Sequence, residues 1–251
     1  MLLHKTITFI FNQTVLLLLI CFAYAVTGCA QAEMSGECPE QKKLQKVETK
    51  YTIPMDTDNF DSKNYASLCG SNLPLFENRF SPYLGGTKSV DIVVEYFANF
   101  RCIHCANFAA YSKSIWKNNK EINNRVRIYF HHLPYNDDVQ FDAATIAAKN
   151  QGMSNFWKMH DYAFKNIGAN LTYQNLYDYA YETLKLDMTQ FEENTTQKTN
   201  SGKATYDFIQ REHDQAVNAC LKYTPSIYVC GRYIEDWRKL EETLTTILEK
   251  K

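Results

Sequence analysis

Two stretches of the chain carry almost unbroken apolar runs. Ser89 to Phe97 contains Val90, Ile92, Val93, Val94, Tyr96 and Phe97, and Val126 to Leu133 reads Val-Arg-Ile-Tyr-Phe-His-His-Leu before Pro134 stops it. Runs this short, β-branched and aromatic predict strands covered on both faces. Between them, Ile103 to Lys120 repeats at helical spacing through Phe108, Tyr111, Ile115 and Trp116. Strand, helix, strand in that order predicts a βαβ unit with parallel strands. From Asp138 to Leu221 the pattern turns helical. Ala143–Ala148 form one small-residue face that ends at Gly152, and Phe156–Phe164 form another. A third helix opens at Thr172, a candidate N-cap; Phe191 marks a fourth, and Ala204–Leu221 a fifth. The segment is too long for a loop. A strand pattern returns at Thr224–Cys230, with a turn expected at Gly231-Arg232 and a short partner at Tyr233-Ile234. An amphipathic helix from Trp237 to Leu248 closes the chain.

Upstream of these elements, Glu33–Tyr51 is polar, without apolar period, and reads as a tether. Thr52–Ser89 is broken by Pro54, Pro74, Pro82 and Gly85-Gly86, which predicts an irregular extension holding a short strand.

Candidate chemistry sits at the first strand-to-helix junction, Phe100-Arg101-Cys102-Ile103-His104-Cys105. Cys102 is placed at or just before the first helical turn, where unsatisfied N–H groups and the helix dipole favour an anion. Cys105 lies one turn on, inside the helix. His104 between them can supply a cation that favours the thiolate further. Cys102 therefore reads as the attacking, low-pKa thiol and Cys105 as the resolving one. A zinc site would need a second CxxC or CxxH, and none has the spacing. A structural disulfide inside CxxC closes too small a loop to stabilise much. His131 and His132 are neighbours on a strand and are not expected to face one site. His160 and His213 have no partners at ligand spacing.

Composition narrows the setting. The chain has 251 residues and a formal net charge of −1, with no basic stripe, so nucleic acid is not an expected partner. Lys5 followed by the apolar run Val15–Ala25 and then small residues is a secretory signal arrangement. Val26-Thr27-Gly28-Cys29 resembles a bacterial lipobox, which would make Cys29 the acylated first residue; Ala30-Gln31-Ala32 is the competing cleavage site. Either ending places the mature chain outside the cytoplasm, in the periplasm or cell envelope if lipid-anchored and otherwise secreted. Six cysteines then remain, and an oxidising compartment permits structural disulfides beside the CxxC pair. Position along the chain suggests Cys38–Cys69 and Cys220–Cys230, one of three pairings open to those four residues.

The CxxC after a strand, the later Thr224-Pro225 before a hairpin and terminal helix, and the long helical segment between them together resemble the thioredoxin fold. The inserted helices resemble those of DsbA-like thiol:disulfide oxidoreductases. Supporting stretches are Val94-Glu-Tyr-Phe97, Ala143–Ala148, Phe156–Asp161 and Cys230–Tyr233, and the resemblance covers about residues 80 to 250. It implies an α/β thioredoxin fold with an inserted helical subdomain. The organisation expected is a lipoprotein-type signal at 1–28, a tether and irregular extension at 29–88, and a thioredoxin-like domain at 89–251 with the insertion at about 138–221.

The resemblance also implies a cis Thr224–Pro225 bond beside the cysteines that offers backbone groups to a client strand. No cofactor and no metal are expected. Three departures stand out. Ile103 replaces the Pro often found between the cysteines. The family's acid six residues before the first Cys is replaced by Tyr96, with Glu95, the candidate buried acid, one residue further away. Tyr223 stands before Thr-Pro, where Gly is commoner. The function expected is oxidation of cysteine pairs in exported client proteins through a Cys102–Cys105 disulfide, with a membrane partner recycling the enzyme. A reductase or isomerase of the same fold is one alternative, because CxxC chemistry runs both ways. A periplasmic copper(I)-binding protein is the other, since soft thiolates favour that ion.

Overall fold

The computed structural model describes residues 68, 69, 76, 80–135, 139–167 and 171–250. The expected signal, Cys29, Cys38 and the tether lie outside them. A five-stranded sheet carries the fold, in the order β1-β3-β2-β4-β5. The strands are β1 Tyr83–Gly85, β2 Ile92–Ala98, β3 Val126–His132, β4 Ser226–Val229 and β5 Arg232–Tyr233. β2 and β3 run parallel, in register from Ile92 opposite Val126 to Ala98 opposite His132. Every residue of both strands is buried, as their nearly continuous apolar runs suggest for a sheet covered on both faces.

Alternation along β2 assigns the two faces. The Tyr96 ring lies on one, 4.5 Å from Phe108 and 5.3 Å from Phe130. Phe97 lies on the other, 4.5 Å from Phe76 and stacked on His131 at 4.4 Å. The first face is covered by α1, Ile103–Asn118. Asn119 ends that helix two residues short of the expected Lys120 and caps an unexpected second helix, α2, Lys120–Arg125, by accepting from Ile122 N–H at 3.1 Å. At the sheet edge, Trp116 Nε1 donates to the Val126 carbonyl at 3.2 Å. Gly85, with φ +82°, passes so close that a Cβ there would collide with both groups.

Five helices separate β3 from β4 among the described residues: α3 Gln140–Lys149, α4 Met153–Lys165, α5 Tyr173–Asp178, α6 Met188–Thr195 and α7 Asn200–Asn218. Thr172 caps α5 as expected, in a reciprocal capping box with Asn175. α5 then widens into a π-helical turn, Tyr179–Leu184, that ends at Lys185 with φ +54°. α7 begins before the expected Ala204 because Thr199 Oγ1 accepts from Gly202 N–H at 3.0 Å. A 3-10 turn, Trp237–Lys239, leads into α8, Leu240–Glu249. Leu240, Leu244 and Leu248 bury its apolar stripe.

The β4–β5 turn is Cys230–Gly231 rather than Gly231-Arg232. Val229 pairs with Arg232, and both intervening residues have positive φ, +51° and +69°. Two-residue hairpins favour this geometry because it matches strand twist. The turn also corrects the disulfide assignment. Cys230 is bonded to Cys69, with Cα atoms 5.2 Å apart, so neither Cys38–Cys69 nor Cys220–Cys230 forms. The hairpin carries Cys230 toward the start of β2, where its N–H bonds the Val93 carbonyl and Cys69 lies against the Asp91 carbonyl. Strand pairing, not nearness in sequence, selects the partner. Cys220, at the end of α7, is itself disulfide-bonded.

Candidate functional site

β2 ends at Ala98, and three hydrogen bonds from Asn99 shape the next four residues. Its carbonyl accepts from Cys102 N–H at 3.0 Å, its Oδ1 accepts from Arg101 N–H at 2.6 Å, and its Nδ2 donates to the Leu133 carbonyl at 3.0 Å. The last bond ties the loop to the end of β3. Cys102 is then the extended N-cap of α1, and Cys105 lies one turn inside. Cys102 is 9% exposed and Cys105 0%. Both are free thiols.

The two sulfurs sit in opposite electrostatic settings. A hydrogen bond from the Cys105 side chain does most to favour the Cys102 thiolate, and burial opposes it. The Thr224 side chain and the N–H groups of Cys105 and His104 add further stabilisation, and the thiol is lowered to about 5. For Cys105, burial acts first and the Cys102 sulfur second, and its pKa rises well above the usual thiol value. One thiol is thus an anion at neutral pH and the other a proton donor to it.

Thr224–Pro225 faces the pair and is cis. The Cys102 sulfur lies 3.3 Å from the Thr224 carbonyl oxygen. Thr224 Oγ1 also lies 3.1 Å from the Tyr135 hydroxyl. Beside this junction Ile103 is 46% exposed and Tyr223 56% exposed, two apolar surfaces flanking the reactive sulfur.

The structure thus brings Cys102, Cys105, Thr224 and Pro225 together. His104 is exposed, and it reaches Cys102 through its backbone N–H. Glu95 is fully buried but stands on the opposite sheet face from the cysteines, where its Oε1 accepts from Phe76 N–H at 3.0 Å. The group under the pair is Tyr96, whose hydroxyl donates to the Cys105 carbonyl at 3.2 Å. The one-residue offset already visible in the sequence is therefore a change of face.

A second polar cluster was not expected. Glu212 of α7 accepts from Ser81 at 2.6 Å and lies 3.0 Å from His131 Nδ1 through the same oxygen. Its other oxygen accepts from His132 N–H at 2.8 Å and lies 2.6 Å from His132 Nδ1. The two histidines do share a partner, because Glu212 straddles the end of the strand and meets a ring from each face. Ser81 and Glu212 both meet the same nitrogen of His131, so no serine–histidine–acid relay forms. Among the described residues, no group of three or more His, Cys, Asp or Glu is placed to hold a metal ion. Nor is any helix among them long and apolar enough to cross a membrane.

The family described as thioredoxin matches residues 77–250. No curated protein matches the chain significantly. Among solved structures, the chain is similar to oxidised BdbD from Bacillus subtilis, with TM-score 0.55 and 20% identity, over 68% of this chain and 93% of that one. It is similar to the thiol-disulfide exchange protein alpha-DsbA2 from Wolbachia pipientis, with TM-score 0.56 and 13% identity, over 74% and 98%. It is also similar to MdbA, a thiol-disulfide oxidoreductase from Corynebacterium diphtheriae, with TM-score 0.51 and 14% identity, over 65% and 93%. With a CxxC at the start of α1, a cis-proline facing it and five helices between β3 and β4, the chain belongs to the thioredoxin family, in the fold of the DsbA-like thiol-disulfide oxidoreductases.

Proposed function

We propose that this protein is a thiol:disulfide oxidoreductase that oxidises cysteine pairs of exported proteins outside the cytoplasm. The observation that carries the reading is the split between the two sulfurs, Cys102 lowered to about 5 and Cys105 raised. A thiolate stabilised in the reduced protein makes the disulfide a better oxidant, because reduction releases that stabilisation. A client thiolate attacks Sγ of Cys102, the Cys102–Cys105 bond breaks, and Cys105 leaves with the electron pair. The client's second thiolate then attacks the client sulfur of the mixed disulfide. The client leaves oxidised, and Cys102 departs as its stable thiolate.

Thr224 and Pro225 present the backbone against which a client strand lies, and exposed Ile103 and Tyr223 border that strand. His104 tunes Cys102 through its N–H. A membrane partner would reoxidise the pair. The segment Val26-Thr27-Gly28-Cys29 supports anchoring by acylation at Cys29, which mass spectrometry of the mature N-terminus tests.

The deciding measurement is the reduction potential of Cys102/Cys105 against glutathione. A value well above about −270 mV, that of thioredoxin, supports oxidase work, and a value at or below it overturns the direction. Cys102→Ser abolishes exchange and Cys105→Ala accumulates mixed disulfides; if both variants exchange normally, the assigned roles are wrong.

A further inference from the structure

Opening the Cys102–Cys105 disulfide leaves a thiolate on Cys105, in a place that resists charge. Cys105 is 0% exposed, and burial is the foremost influence on its titration. None of the leading influences on it is a carboxylate. The acid nearest in sequence, Glu95, is turned to the other face of the sheet and accepts from Phe76 N–H.

On the cysteine face the Asn99 backbone and the Thr224 side chain favour the Cys105 anion, and the Tyr96 hydroxyl lies beneath it. That hydroxyl donates to the Cys105 carbonyl at 3.2 Å, and the Cys105 side chain is within hydrogen-bonding reach of it. Tyr96 is 1% exposed, and its ring is clamped between Phe108 of α1 and Phe130 of β3. The carbonyl of Cys105 has its own helical acceptor role inside α1, so the phenol proton can leave it without orphaning the oxygen. A phenol beside two thiols, buried in the core, stays protonated: burial raises its pKa first, and the Cys105 and Cys102 sulfurs raise it further.

We propose that the Tyr96 hydroxyl is a hydrogen-bond donor to the Cys105 thiolate as it leaves, acting beside Asn99 and Thr224 as a neutral donor where a titrating acid would otherwise stand. The inference rests on the redox reading of the pair. In the step concerned, a client or reagent thiolate forms a bond to Sγ of Cys102. The Cys102–Cys105 bond breaks, and its electron pair goes to Sγ of Cys105. Tyr96 holds that anion by O–H···S⁻ without surrendering its proton. Cys105 then takes up one proton from solvent, balancing the one lost when the attacking thiol ionised. A neutral phenol performs this role at constant strength across the range in which a buried carboxylic acid would switch off.

The test is the rate at which dithiothreitol opens the disulfide of the full-length oxidised protein, followed by fluorescence from pH 5 to 8. Tyr96→Phe keeps the ring between Phe108 and Phe130 and removes only the donor. A hydrogen bond to a charged acceptor is worth about ten- to a hundredfold once the charge is fully developed, so opening slows by up to that factor. The slowing is the same at every pH, and the pH at which Cys102 alkylation is half-maximal does not move. Tyr96→Glu is the second variant. Protonated, the carboxyl donates and opening runs near the wild-type rate. Ionised, it cannot donate and repels the departing thiolate, so the ratio to wild type falls as pH rises. A Tyr96→Phe rate equal to wild type overturns the inference, as does a Tyr96→Glu ratio that does not change with pH. If the wild-type disulfide does not exchange with dithiothreitol at all, the redox reading fails instead.

Discussion

The sulfur of Cys102 lies 3.3 Å from the carbonyl oxygen of Thr224, 122 residues further along the chain. This contact joins the start of α1 to the bend before β4 and places a second hydrogen-bonding side chain beside the thiol. Tyr135 sits 3.1 Å behind the Thr224 hydroxyl and can donate to it, which leaves the Thr224 proton for the sulfur. With the Cys105 hydrogen bond leading and burial opposing, the thiol is lowered to about 5. Alkylation of the reduced protein by iodoacetamide should therefore show an inflection near pH 5. Cys105→Ala removes the leading stabiliser of the anion. A hydrogen bond to a charged group is worth about 1.5–3 kcal/mol, so the inflection should rise by about 1–2 pH units. Thr224→Val should raise it in the same direction by less.

Reduced and oxidised protein should respond differently to pH. The folded pKa of Cys102 is below its unfolded value, so its ionisation contributes stability that is complete above the unfolded pKa. That stability is lost as pH falls through the folded value of about 5. The disulfide form has no such group. The melting temperature of the reduced form minus that of the oxidised form should thus increase from pH 4 to pH 8. Differential scanning calorimetry of both forms across that range checks it, and a flat difference would contradict the shifted thiol.

Much of this arrangement was legible in the residues. β2 and β3 are short, mostly apolar runs without polar alternation, the pattern of a doubly covered sheet. CxxC at the end of such a run and Thr-Pro before a hairpin are local signals, so their places were readable. What was not readable depends on which face a side chain takes. Glu95 and Tyr96 differ by one position, and in a strand that one position reverses the direction of each. His131 and His132 were assigned to separate surroundings by the same rule. They meet because Glu212, from a helix 80 residues away, reaches around the end of the strand. The Cys69–Cys230 bond escaped for a related reason: its sequence separation is 161 residues, and no local pattern encodes it.

Glu212 should be a stability residue. It is 1% exposed and bonded to Ser81, His131 and His132, so it fastens α7 to the end of β3 next to the loop that Asn99 ties down. Removing one member of such a group strands the others in the core. Glu212→Ala should cost about 3–5 kcal/mol in urea denaturation, and Glu212→Gln less, since an amide still offers an acceptor. Burial first of all lowers the pKa of His132 and of His160. Their unfolded forms bind a proton below about pH 6.5 that the folded forms refuse, so wild-type stability should fall as pH drops from there.

The Cys69–Cys230 bond should be structural and independent of the redox pair. Its sulfur-bearing residues are 5% and 4% exposed, against 9% for Cys102. The two sites also lie at opposite ends of β2. Cys230 bonds Val93, while the CxxC loop leaves from Ala98, five residues or about 16 Å further along the strand. Graded reduction should accordingly open Cys102–Cys105 first and leave Cys69–Cys230 intact. Replacing both residues, as Cys69→Ala with Cys230→Ala, frees the unfolded chain of a long-range link. It should cost about 2–5 kcal/mol in denaturant unfolding. The β4–β5 turn remains tied to β2 through the Cys230 backbone N–H, which the substitution keeps. The Cys102 alkylation inflection should therefore stay near pH 5 in the double variant; a shift of a full unit would mean that the staple reaches the active sulfur after all.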